Sequence, residues 1–553
     1  MFVKELVPDL VLHRGTIHTM DARRNVVPAL AIQDGRVVAL GGDAEIQALA
    51  GPGTRQIDLG GRAAIPGLFD SHNHLLEVGA KLSTIRLDEC RSVEEMVELV
   101  RQRARETPPG EWIVGQGWNE GYFVDGRMPT RHDLDPATGQ HPVILMRFFN
   151  TDVVNTVALR LAGIDRGTPD PEGGRIERDA DGEPNGLLRA SAKAAARRLM
   201  PRPGLKEMLA YLRLAYAEVH RYGITSVVEP GLRPEEIRAY QASYRAGELT
   251  LRANLMPAWH GFHDDEEEAE LDCRARQPGI FSGLGDEWLR IGALKMAIDG
   301  GTTPHTAYMY GPYEGDSELV AFNRLPLEAL RRYLPTAQEL GWDVGIHCCG
   351  DHAQDLAVDV MAEVARDMPR PDARHSIIHG YFPTPRALEQ MARHQIAAVL
   401  QPSFIYWESE LLFRDVGERR AHAYKPARTY LDRGIPVTSS SDVTSTVSPN
   451  PFLGLYSLVT RQNHLGQIVG PQEAIGRDEA LWAYTAGGTW LTREEGLKGT
   501  LEIGKLGDVA ILDCDYFAVP DQEIKDIQVD ATIVGGKVVW ERGADQGGRE
   551  PVG

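Results

Sequence analysis

Eight short apolar runs, separated by amphipathic segments, constrain this chain more than any other feature. They are AAIPGLFDSH (63–72), GITSVVEP (223–230), LRANLM (251–256), RIGALKM (290–296), WDVGIH (342–347), HSIIH (375–379), IAAVLQP (396–402) and IPVTSSSD (435–442). Most are apolar throughout rather than alternating, as in strands covered on both faces. Helical periodicity lies between them. In 205–223, Met208, Tyr211, Leu212, Ala215 and Val219 share one face, and Gly223 suits the residue just past a helix end. Repeated strand–helix units with eight parallel strands predict an α/β fold, a (β/α)8 TIM-like barrel.

Both chain ends read differently. Residues 9–42 hold short alternating strands with a turn at Asp34-Gly35, and the C-terminal stretch repeats the style around Gly535-Gly536. Neither end can bury a core alone, so the two are expected to meet in one small β-sandwich domain. About 130 residues separate the first and second runs, far beyond an ordinary loop. This stretch carries a helix pattern, VEEMVELVRQRARE, and two strand patterns, EWIVGQGWN and HPVILMRFF. It is expected to be an insertion after the first barrel strand, lying over the C-terminal face where such barrels build their sites. The expected boundaries are 1–62 and 485–553 for the β-domain, 63–80 for the first barrel strand, 81–204 for the insertion and 205–484 for the remaining barrel.

Five of the eight runs end on, or just short of, a candidate metal ligand. The first ends Asp70-Ser71-His72-Asn73-His74. Residues two apart on a strand face the same side, so His72 and His74 can reach one ion. A lone His-x-His also arises by chance. Lys295, His347, His379 and Asp442 lie at or near the ends of four further runs. Each alone reads as a buried histidine, a surface lysine or a helix cap; five strands converging on one face are harder to explain by packing. Imidazole and carboxylate suit zinc and similar divalent ions.

Longer motifs carry a family resemblance. Residues 64–74, Ala-Ile-Pro-Gly-Leu-Phe-Asp-Ser-His-Asn-His, resemble the P-G-x-x-D-x-H-x-H signature of the amidohydrolase superfamily. Residues 346–353, Ile-His-Cys-Cys-Gly-Asp-His-Ala, resemble the H-x-x-G-D-x-A segment of its amidohydrolase 3 (YtcJ-like) group. Residues 182–186, Gly-Glu-Pro-Asn-Gly, resemble that group's G-x-P-T-G motif, and Gly499–Asp508 is a tail segment common in amidohydrolases. The group includes N-substituted formamide deformylases.

The resemblance implies a divalent metal centre, zinc by preference, with one or two ions. His72, His74 and Asp442 would hold the more buried ion and His347 and His379 a second. Lys295, N6-carboxylated, would bridge them, because a carbamate offers two anionic oxygens where an amine offers none; an unmodified lysine paired with a carboxylate is the alternative. Metal lowers the pKa of a water toward about 7. Asp442 would then be the catalytic base and acid, passing a proton from the attacking water to the leaving nitrogen of an amide. The chain also departs from the group's pattern. Phe149-Asn150 stands where the group often has Gly-His, Ala190 where a Glu commonly follows P-T-G, and Ile378 where a Glu usually precedes the sixth-strand histidine.

Weaker candidates for substrate contact are His375, four residues before His379, together with Trp118, Asn150, Tyr406 and Trp407. For each, ordinary packing is a comparable reading. Cys348 and Cys349 read as small buried residues, since no base–cysteine pair is evident.

Composition excludes several functions. A formal charge of −20 argues against nucleic acid, which calls for a basic stripe. No apolar run of membrane length exists. Five cysteines, an odd and sparse set, point to reduced thiols in the cytoplasm. The expected partner is a small-molecule substrate, with a homodimer left open. The expected activity is hydrolysis of an amide-type C–N bond in an N-substituted formamide or other N-acyl compound. A cyclic amide, carbamate or ester is the alternative substrate. Two other readings compete: a non-catalytic binding protein, and a metal-free glycosidase using Glu229.

Overall fold

The computed structural model describes residues 7–87, 89–118, 123–124, 126–147, 151–171, 174–263, 267–276, 279–303, 305–315, 324–443 and 448–544. Contacts divide the chain into two compact units. One comprises Met1–His74, Tyr216–Val443 and Val447–Gly553, the other Leu75–Ala215 and Thr444–Thr446.

In the first unit the Asp34-Gly35 turn closes a hairpin of Ala29–Gln33 and Arg36–Gly41, with Gln33 opposite Arg36. Asp34 (φ 50°) and Gly35 (φ 76°) are both left-handed, the type I′ geometry whose twist matches the strands. Gly535 and Gly536 (φ 55° and 75°) do the same between Val529–Val534 and Lys537–Glu541. Val509–Leu512 pairs antiparallel with Ala63–Pro66, which pairs parallel with Thr16–His18, so both chain ends share one six-stranded sheet. A four-stranded sheet comes from the N-terminal residues alone. Leu12, Ile32 and Ala64 share a buried cluster with Leu501, Val509 and Ile533, which is how two short β-segments obtain a core.

The remaining strands of this unit are parallel. Leu68–Asp70, Ile224–Leu232, Arg252–Pro257 and Leu289–Ile291 form a four-stranded sheet. Leu294–Ala297, Val344–Cys348, Ser376–His379, Ala397–Leu400 and Val437–Ser439 form a five-stranded one. Nearly all their residues are buried, as continuous apolar runs require. Contacts join the sheets at both margins: the Ser71 amide donates to Ser439 O (3.2 Å), and Ala258 bridges Lys295 in parallel. The content is mixed α/β.

Two of the eight predicted runs are divided. Run 63–72 breaks at Gly67, leaving Ala63–Pro66 to the terminal sheet and Leu68–Asp70 to the parallel one. A Cβ on Gly67 would lie 2.2 Å from Thr225 Oγ1, so only glycine lets the chain pass between the sheets. Run 290–296 breaks between Ile291, which pairs with Leu255, and Leu294, which pairs with Val344.

The second unit has its own six-stranded sheet. It includes Ile113–Trp118 and Val143–Arg147, within the two stretches whose pattern predicts strands. The predicted helix spans Val93–Glu106 and begins at Ser92, whose Oγ accepts from the Glu95 amide at 3.2 Å. Met96, Val97 and Val100 face a core with Leu134, Leu145 and Trp118. Asp152, fully buried, accepts two bonds from Arg197 (2.7 and 2.8 Å). No helix among the described residues is long and apolar enough to cross a membrane.

One buried histidine ties the sheets of the first unit together. His220 contacts Ile224 O (3.0 Å) through Nδ1 and Thr250 Oγ1 (3.0 Å) through Nε2, and its carbonyl accepts from Thr532 Oγ1 (2.6 Å). Burial pushes its pKa down to about 4. The folded state therefore keeps it neutral while the unfolded chain protonates near 6.5. Its contribution is complete above about 6.5 and is lost as pH falls toward 4, by on the order of 2–3 kcal/mol. His220→Gln is expected to flatten the acid limb of a melting-temperature profile between those pH values. An unchanged limb would refute it.

Candidate metal centre

Four predicted ligands meet at the ends of the parallel strands. His72 Nε2 lies 3.4 Å and His74 Nε2 3.2 Å from Asp442 Oδ1, and His379 Nδ1 lies 3.9 Å from Asp442 Oδ2. The rings of His72 and His379 are 5.7 Å apart, and those of His347 and His379 4.2 Å. Ligand atoms of His72, His379 and Asp442 all fall within 4.8 Å of one another. Lys295 is fully buried, 5.5 Å above the Phe262 ring, and its Nζ has no hydrogen-bond partner.

The local chain is held in place by a residue to which sequence reasoning gave no role. Asp70 Oδ2 accepts from Ser441 Oγ (2.5 Å) and Asn73 Nδ2 (2.8 Å), and Oδ1 accepts from the Ser441 amide (3.0 Å). The Asp442 amide donates to His72 O at 2.8 Å. These bonds staple the first strand's end to the last strand's end and set His72, His74 and Asp442 together. Asp442 (φ 50°) and His379 (φ 78°) both adopt left-handed backbone. Non-glycine residues rarely do so without a surrounding structure that enforces it.

Burial dominates the electrostatics. It drives His72 and His379 well below the usual histidine range and His347 down to about 3, with the Lys295 charge adding in each case. All three imidazoles are thus neutral and able to donate lone pairs. Burial also lowers Lys295 to about 8, opposed by Asp442.

A second set of residues was missed. His379 Nδ1 contacts Gln401 Oε1 at 2.8 Å, and Lys425 Nζ donates to the same oxygen at 3.1 Å. Gln401 Nε2 donates to Val399 O (3.0 Å) and Ser440 Oγ (3.1 Å), which fixes its orientation. The amide oxygen can only accept, so His379 carries its proton on Nδ1 and keeps the Nε2 lone pair. Lys425 is buried, 3.8 Å over the Tyr381 ring, and burial lowers it to about 7. Gln401 lies one residue before the end of the predicted run 396–402 and could have been flagged there; Lys425 follows the helix Ser403–Ala421 with no spacing signal.

The weaker candidates are placed differently. His375 sits at the start of its strand, not its end: Nδ1 accepts from the Val344 amide (3.1 Å) and Nε2 meets Gln338 Oε1 (3.2 Å). Both ring nitrogens are thus used by packing partners. Trp118 is fully buried in the second unit's core and donates its indole N–H to Leu145 O (2.9 Å). Tyr406 and Trp407 lie on one helix with ring centroids 4.9 Å apart, Trp407 being exposed. Asn150 lies outside the described residues. Glu229 is buried beside Tyr240.

The donor set fits a divalent cation: neutral imidazoles, one carboxylate, and two buried polar atoms, His72 Nδ1 and Lys295 Nζ, without hydrogen-bond partners. Comparison with known proteins agrees in kind. A family model described as "Amidohydrolase family" matches residues 55–540. YtcJ of Bacillus subtilis (strain 168), which carries an amidohydrolase name, is 28% identical over 96% of this chain and 99% of its own length. The N-substituted formamide deformylase of Arthrobacter pascens is 26% identical over 97% of this chain and 98% of its own. Among solved structures, a metal-dependent hydrolase of uncharacterised activity from Pyrococcus furiosus superposes with a TM-score of 0.75 at 26% identity, covering 92% of this chain and 99% of that one.

Proposed function

This chain belongs to the amidohydrolase family, and on that premise we propose that it is a divalent-metal-dependent hydrolase of an amide-type C–N bond. An N-substituted formamide or related N-acyl compound is the proposed substrate. The observation that carries the reading is the buried convergence of His72, His74 and His379 on Asp442. The two parallel sheets, in contact at both margins, fit closure into the (β/α)8 barrel, and the two terminal sheets fit a β-sandwich. Five free cysteines fit a cytoplasmic location.

His72, His74 and Asp442 would hold one cation, and His347 and His379 a second. Lys295, buried and without a hydrogen-bond partner, fits N-carboxylation: its amine adds to carbon dioxide, loses a proton and gains two anionic oxygens. A bound zinc-class cation supplies a water of near-neutral pKa and polarises the scissile carbonyl. Asp442 accepts the proton of the attacking water and delivers it to the leaving nitrogen as the C–N bond breaks. Asp70 and Ser441 keep Asp442 beside the two histidines. Gln401 accepts from His379 Nδ1 and so leaves the Nε2 lone pair available to a cation.

The test is a panel of N-substituted formamides, other N-acyl amines, cyclic amides, carbamates and esters, assayed before and after exhaustive chelation. Formamide cleavage that disappears on chelation and returns with zinc is expected. Cleavage of only the other classes would move the substrate, and turnover surviving complete metal removal would overturn the metal reading.

Gln401→Leu removes the shared acceptor of His379 and Lys425. Zinc affinity is expected to fall roughly 10–100-fold, measured by competition with a chromophoric chelator. Unchanged affinity would remove Gln401 from the centre.

A further inference from the structure

Cys349 follows His347 by two residues, and its side chain belongs to the same cluster. Cys349 Sγ lies 3.5 Å from His347 Nε2, and the ligand atoms of His347, Cys349 and His379 all fall within 4.8 Å of one another. The residue is 1% exposed. Its backbone is not free to drift. The buried carboxylate of Asp299 accepts from the Cys349 amide (3.0 Å), the Gly350 amide (2.8 Å) and the Tyr308 amide (2.9 Å). Lys295 Nζ, aimed into the same buried region, has no hydrogen-bond partner. Cys349 packs in an apolar cluster with Tyr313, Tyr381 and Phe404, and at that cluster's margin its sulfur meets His347 Nε2, which also contacts Gly300 O at 3.1 Å.

We propose that Cys349 is a sulfur ligand of this centre, its thiolate joining the His347 and His379 imidazoles on a zinc-class divalent cation. This rests on the metal-centre reading above. On binding, the S–H bond breaks, a sulfur–metal bond forms and the proton leaves to solvent. A thiolate is softer than the oxygen donors elsewhere in the site, so this position would favour zinc or cadmium over magnesium or calcium. Cys348, the last residue of the strand Val344–Cys348, faces away from His347 by strand alternation and is not part of the cluster.

Zinc-edge X-ray absorption on the zinc-loaded full chain tests the assignment without relying on turnover. One zinc–sulfur shell at about 2.3 Å is expected in the unaltered protein and in Cys348→Ser, and is expected to be lost in Cys349→Ser and Cys349→Ala. Bound zinc with no sulfur shell in the unaltered protein would overturn the proposal, as would a shell that survives in a folded Cys349 variant. The unaltered protein decides even if both Cys349 variants fail to fold. Failure of the chain to bind zinc at all would instead overturn the metal-centre reading beneath it.

Discussion

Asp442→Asn is expected to leave a folded protein that binds metal and turns over ~10²–10⁴-fold more slowly, the usual loss when a positioned acid–base group goes. The substitution is nearly isosteric, so the bond from the residue 442 amide to His72 O at 2.8 Å survives. The Asp70 clamp on the Ser441 amide and hydroxyl also survives. The side chain loses its capacity to take a proton. It also loses the negative charge facing His72 and His74 at 3.4 and 3.2 Å. The loss should fall mainly on kcat, because the step it impairs is made in the transition state. Measured kcat within a few-fold of the parent, with zinc bound, would take proton transfer away from Asp442. A collapsed melting temperature would instead mean that the carboxylate serves the fold.

Asp508→Ala should produce the largest loss of stability. Asp508 accepts two bonds from Arg252 (2.6 and 2.9 Å), and the two side chains are 6% and 1% exposed. It also accepts from the Gly535 amide at 2.8 Å, at the tip of the C-terminal hairpin. Arg252 continues to Glu287 O (2.9 Å) and stacks 4.5 Å from the Trp288 ring. One ion pair thus joins a parallel strand to the terminal β-sheet. Removing the carboxylate strands a buried guanidinium, at a cost of about 3–5 kcal/mol. The readout is a fall in the urea midpoint with little change in slope. A loss under 1 kcal/mol would mean that water or another acceptor reaches Arg252. Burial raises the Asp508 pKa, but the Arg252 charge and the hydrogen bonds outweigh it and hold it below the usual carboxylate value. This stabilisation is therefore present above about pH 4 and is lost as pH falls below it. Its pH window lies below that of His220.

What was legible in the sequence was mostly local. Asp34-Gly35 and Gly535-Gly536 announce their hairpins because two consecutive left-handed residues nearly require this chemistry. The pattern VEEMVELVRQRARE announces the helix Val93–Glu106 because its apolar residues recur at helical spacing. The parallel strands are legible because burial on both faces leaves no room for polar residues. The divided runs were illegible. Whether 63–72 is one strand or two depends on Thr225, some 160 residues away, which closes on Gly67. The support around the centre was equally hidden. Asp70 meets Ser441 across 371 positions, and the contact of Gln401 with Lys425 is made only once a helix has turned the chain back.

The sequence by itself determined which residue types stand at the strand ends and where the turns fall, since period and composition are properties of the chain. Only the tertiary structure decided which of those residues face one another. It placed His72, His74 and His379 against Asp442, turned His375 to Val344 and Gln338, and brought His379 to the His347 and Cys349 pair. The physical reason is that a chain encodes direction and spacing locally, whereas a site made of short contacts needs many backbone segments packed at once. Each of those packings is set by partners that lie far away in the sequence.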